Sequence, residues 1–148
     1  MSKNTGFSIT YANRYSLALF ELAEENNLLS QIEVQSLSML NLINQSNDFY
    51  NLIKDPTSNQ EDLSKVINII VEKNKFDILF KNFLNFLVQK RRFFFIESIL
   101  KSFIETCSIK RGELKAELKS AKNLSSDEIT KITELLTKNF SSNIKLNY

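Results

Sequence analysis

Apolar residues recur every three or four positions through residues 1–110, and this period predicts a series of helices. The stretch TYANRYSLALFELAEENNLL, Thr10 to Leu29, keeps an apolar side opposite a glutamate-rich one and reads as the first helix. Gln31 to Asn44 sets Ile32, Leu37, Leu40 and Ile43 along a second stripe, and DFYNLIKD is a short third helix closed by Pro56. A fourth helix opens on SNQE, where Ser58 and Glu61 suit a capping box, and turns Leu63, Val66, Ile67 and Ile70 inward. The fifth runs from about Phe76 to Lys90 and the sixth from about Phe93 to Ile109, with Phe94 starting its inward stripe.

After Gly112 the period drops to two. ELKAELKS places Leu114, Ala116 and Leu118 on one face of a strand, and NIKLNY does the same with Ile144, Leu146 and Tyr148. Between them SSDE is a second capping box, Ser125 with Glu128, ahead of a helix with Ile129, Ile132, Leu135 and Leu136 inward. The expected fold is therefore mainly α: a six-helix bundle over residues 1–110, then a small, truncated α/β segment over 111–148. Two strands and one helix bury too little to stand alone, so this tail is either completed by another chain or mobile. With only two glycines and one proline, breakers are scarce; Gly6 is expected just ahead of the first periodic segment.

Two helices carry more apolar surface than one core needs. On the first, Ile9, Tyr11, Ala12, Tyr15, Ala18, Leu19, Phe20, Leu22 and Ala23 cover roughly 200°, against the little over 100° that a surface helix requires. The fifth shows the same excess through Phe76, Leu79, Phe80, Phe83, Leu84, Phe86, Leu87 and Val88. Either both helices are buried all round, or their spare margins form a groove for an amphipathic helix from a partner. A bundle this small has little room for two central helices, which favours the groove, lined by Tyr11, Tyr15, Ala18, Leu22, Phe76, Phe80 and Leu84. Ala18 lets a partner backbone come close, and the tyrosines give the rim amphipathic contacts.

Composition narrows the chemistry. There is no histidine, which removes the commonest general base and metal ligand, and the single Cys107 lacks that activating neighbour. No glycine-rich phosphate loop or carboxylate cage is apparent, so no catalytic, cofactor or metal site is expected. The 19 basic and 17 acidic residues are spread along the chain. The cluster KRRFFF, Lys90 to Phe95, reads as a helix end rather than a nucleic-acid clamp, with Lys90, Arg91 and Arg92 placed in the last turn of the fifth helix. No run approaches the roughly 18 apolar residues of a membrane span, so direct insertion is not expected.

YANRYSLALFELA resembles the first helix of the delta subunit of F-type ATP synthase, the oligomycin sensitivity conferral protein of mitochondria. NFLNFLVQKRRF, SAKNLSSDEITKI and NIKLNY are similar to later parts of that family, in the same order. The resemblance implies a non-catalytic stator subunit that links the N-terminal helices of the alpha subunits to the b subunits of the peripheral stalk and supports proton-driven ATP synthesis. It also implies a place on the cytoplasmic face of the bacterial inner membrane, or on the matrix side in an organelle, and an alpha-binding surface between helices 1 and 5 that includes Tyr15 and Ala18. Two departures stand out: Arg91 occupies the place where the family commonly has a glycine, and the family continues beyond KLNY. The alternative function is a helical RNA-binding or regulatory adaptor using Lys90 to Arg92, whose binding would weaken steeply with salt.

Overall fold

The computed structural model describes residues 2–112, 114–117, 123–140 and 144–147, with side chains over 10–112 and 123–138. The expected positions Leu118 and Tyr148 lie outside these residues. The chain divides into two units, 1–106 and 107–148.

The first unit is a helical bundle: α1 (Ser2–Glu25), α2 (Leu29–Gln45), α3 (Asn47–Lys54), α4 (Gln60–Asn74), α5 (Ile78–Gln89), a 3₁₀ turn over Phe93–Phe95, and α6 (Ile96–Lys110), which continues past the division. Its core is built from Leu19, Ile32, Met39, Ile43, Ile67, Phe80, Leu84, Leu87, Ile96, Ile99, Leu100 and Phe103, all fully buried. The helices start and stop differently from the expectation in several places. Gly6 lies inside α1. Asn59 caps α4 by accepting from the Glu61 N–H at 2.9 Å, while the Ser58 hydroxyl donates to the Leu52 carbonyl at 2.9 Å. Asp77 caps α5 through the Leu79 N–H at 2.8 Å, so Phe76 precedes that helix.

Three ends use residues other than glycine in the left-handed region. Asn27, Lys75 and Arg91 have φ of +57°, +52° and +56°. Each sits where a Schellman motif needs positive φ: Leu28 N–H donates to Ala23 carbonyl, Phe76 to Val71 and Arg92 to Leu87, at 2.8, 3.0 and 2.8 Å. The turn at Arg91, where the resemblance implies a glycine, is thus one that a β-carbon strains. α5 ends at Gln89, so Lys90, Arg91 and Arg92 follow its last turn rather than occupy it.

On α2 two polar side chains enter the core. Gln35 accepts from the Asp77 N–H at 3.0 Å, tying α2 to the start of α5, and the Ser36 hydroxyl donates to the Ile32 carbonyl at 2.7 Å. Leu37, expected inward, is exposed, and Leu40 is half-buried, because the buried face of α2 runs through Ile32, Gln35, Ser36, Met39 and Ile43.

In the second unit Cys107 and Ser108 are buried at the end of α6, and Gly112 has φ of +70°. Strand β1 (Leu114–Glu117) pairs in parallel with β2 (Ile144–Asn147), Leu114 opposite Ile144. α7 (Ser126–Phe140) lies between them in sequence and contacts β2. Its start is a reciprocal cap: Ser125 N–H donates to Glu128 Oε2 at 2.8 Å and Glu128 N–H donates to Ser125 Oγ at 3.3 Å. Ile129, Ile132 and Leu136 are half-buried, whereas Leu135 is exposed.

Candidate partner-binding site

On α1 the buried residues Ala12, Ser16, Leu19, Phe20 and Ala23 fix the face turned to the core. At 100° per residue, Tyr11, Tyr15, Ala18 and Leu22 fall within an arc of about 60° beside that face. Tyr11 and Tyr15 are half-buried; Ala18 and Leu22 are exposed. The flank is therefore a strip along the helix, about 16 Å from Tyr11 to Leu22.

α5 packs against α1 and supplies the other wall. Asn85 turns one flank toward α4, donating to Asn68 Oδ1 at 3.1 Å and accepting from the Ser64 hydroxyl at 3.4 Å. The opposite flank carries Leu79, half-buried, and Phe86, 41% exposed, whose ring meets Tyr15 at 6.2 Å between centroids. Phe80 and Leu84 were expected here, but both are fully buried. They lie on the far side of α5 from Phe86, in the bundle core, and reach no partner without unpacking it. Phe76 is half-buried before α5, its ring 5.4 Å from Phe80. Phe86 meets the α1 strip through Tyr15, and Leu79 shares its flank of α5 by helical spacing. The sequence signal that separates them from Phe80 and Leu84 is the polar Asn85, which marks the side facing α4.

The two walls meet at the turn after α5. Tyr11 stacks on Phe95 with centroids 5.8 Å apart, and the Arg92 guanidinium sits over the Tyr11 ring at 4.6 Å. Lys90 Nζ lies 5.8 Å from the Phe86 centroid. Phe94, expected inward, is 45% exposed and Phe93 is buried in its stead, because the 3₁₀ turn delays the helical register. Lys54 Nζ donates to the Phe94 carbonyl at 3.1 Å and covers its ring at 4.6 Å. A cleft of about 330 Å³ opens beside this turn, lined by Leu52, Pro56, Arg91 and Phe93 to Phe95 among others.

The model of the family described as ATP synthase delta (OSCP) subunit matches residues 11–148. The chain belongs to that family. An ATP synthase subunit delta from Pelagibacter ubique is 62% identical over all 148 residues, which cover 80% of the relative. One from Rhodospirillum rubrum is 32% identical over 127 residues, covering 86% of this chain and 68% of the relative. A chain in the cryo-EM structure of the Toxoplasma gondii mitochondrial ATP synthase hexamer has the same fold, with TM-score 0.72 and 24% identity over 93% of this chain and 77% of that one. As a delta-family chain it is a non-catalytic stator subunit of ATP synthase that serves ATP synthesis. Family membership does not favour the RNA-binding or regulatory adaptor. Among the described residues no helix is long and apolar enough to cross a membrane.

Proposed function

We propose that this delta-family chain grips the N-terminal helix of an ATP synthase alpha subunit along the seam between α1 and α5. The observation that carries this reading is that Ala18 and Leu22, with Leu22 44% exposed, stand uncovered beside Tyr15 and the exposed Phe86. An amphipathic helix laid along this seam covers apolar surface that the chain's own side chains leave open. The partner-binding set is then Tyr11, Tyr15, Ala18, Leu22 and Phe76, with Leu79 and Phe86 in place of Phe80 and Leu84. A stator link under torque needs slow dissociation, and an apolar interface around small Ala18 suits that demand.

The remaining parts of the reading follow from the family. Residues 1–110 form the head-binding domain and 111–148 belong to an α/β domain that meets the b subunits of the peripheral stalk. The chain is held peripherally, through the complex, on the cytoplasmic face of the inner membrane or the matrix face in an organelle. Ala18→Trp tests the seam directly, because Ala18 is exposed and an indole there has room in the free protein. Calorimetric titration with an alpha N-terminal peptide should show affinity reduced about tenfold or more, with helix content by circular dichroism unchanged. Equal affinity in the two proteins would count against the seam.

A further inference from the structure

The seam is not electrically uniform. At its Tyr11 end stand three cations: Arg14, exposed on the outer flank of the α1 strip, Arg92 over the Tyr11 ring, and Lys90 beside Phe86. At its Leu22 end the same outer flank of α1 carries exposed Glu21 and Glu25. Lys75 and Asp77, in the turn before α5, are of opposite sign and leave this balance unchanged. Among the described residues no ion pair engages Arg14, Lys90, Arg92, Glu21 or Glu25. The order of the two ends is fixed by the ring contacts: Tyr15 meets Phe86 late in α5, and Tyr11, one turn earlier in α1, meets Phe95 beyond α5. The two helices therefore run in opposite directions, and Leu22 lies toward the start of α5.

We infer that the seam accepts a helix whose charges are themselves segregated, in one orientation, with its carboxylates at the Arg14–Arg92 end and its cations at the Glu21–Glu25 end. This rests on the seam being the docking face. The apolar strip alone gives little sense of direction, because a stripe at helical spacing reads nearly the same from either end. Side-chain charges decide it: turning the helix end for end replaces several attractive pairs with repulsive ones at both ends. Exposed pairs are individually weak, yet together they bias orientation by about tenfold and quicken encounter. Full charges also outweigh the half charge at each end of the partner's own helix dipole. A helix with glutamates in its first turn and lysines in its last thus lies with its N-terminus near Arg92.

The test uses the isotope-labelled full chain and a synthetic amphipathic helix of about 18 residues with a leucine and alanine stripe, glutamates in the first turn, lysines in the last and a nitroxide at the glutamate end. Broadening centred on Tyr11, Arg92 and Phe95 is the expected result. Arg14→Glu with Lys90→Glu, both at exposed positions, should weaken the probe about threefold to tenfold. Broadening centred on Leu22 to Asn27, or equal at the two ends, overturns the orientation while leaving the seam as the docking face. Absence of saturable binding, or broadening away from α1 and α5, overturns the docking face itself.

Discussion

The rings of Tyr15 and Phe86 meet edge to face across the α1–α5 seam, with planes inclined at 63°. This contact closes the seam toward the core and leaves part of each ring uncovered outside. The same helix therefore carries two phenylalanines of opposite duty: Phe80 is fully buried and Phe86 is 41% exposed.

That difference predicts a crossover between stability and binding. Phe80→Ala should lower unfolding free energy by about 3–5 kcal/mol, the cost of lost burial and a core cavity. Phe86→Ala should lower it by about 1 kcal/mol or less, since much of the ring is already wet and the contact with Tyr15 is a modest term. Chemical denaturation measures both. Affinity for an alpha N-terminal peptide should fall in Phe86→Ala while the fold is retained.

Arg91→Gly should stabilise the chain by about 0.5–1 kcal/mol. The substitution removes the cost of holding a β-carbon in the left-handed region at φ of +56°, and the added freedom of glycine in the unfolded chain offsets part of the gain. Lys75→Gly should act in the same direction. Paired denaturation midpoints check this, and a loss of stability in both variants would show that the side chains contribute more than the backbone strain costs.

The turn after α3 carries a pH signature. Asp55 accepts from the Thr57 hydroxyl at 2.7 Å and from its backbone N–H at 2.9 Å, and these bonds hold the carboxyl below its ordinary value. A carboxyl lowered on folding adds stability above its unfolded pKa and loses it as pH falls through the lower, folded value. Thr57→Ala, which removes the larger of the two causes, should move the Asp55 titration upward toward the usual aspartate range. Carbon-detected NMR titration of that side chain reads the shift.

Much of the helical layout was legible because the apolar period is unbroken, but its flanks were not. A 200° apolar arc shows that a helix has surface to spare; only its neighbours show which margin is spare. Asn85, bonded to Ser64 and Asn68, turns one flank of α5 toward α4, which leaves Phe86 outside and Phe80 and Leu84 within. Gln35 escaped notice for a related reason: a glutamine reads as surface until its carbonyl meets the Asp77 N–H, 42 residues away. The outward place of Phe94 follows from the 3₁₀ turn, which a strict 3.6 period does not anticipate. The rarity of glycine suggested few stops, whereas Asn27, Lys75 and Arg91 make stops without it. That Tyr11, Tyr15, Ala18 and Leu22 share one flank of α1 follows from their spacing alone; that the flank is left open does not.

The most direct measurement is amide chemical-shift mapping of the full chain titrated with an alpha N-terminal peptide. The account predicts that the largest changes fall on residues 11–22 and 78–90, with Ala18 and Phe86 among them. Changes concentrated instead around exposed Val34 on α2 or Ile69 on α4, with the α1–α5 seam silent, would contradict it.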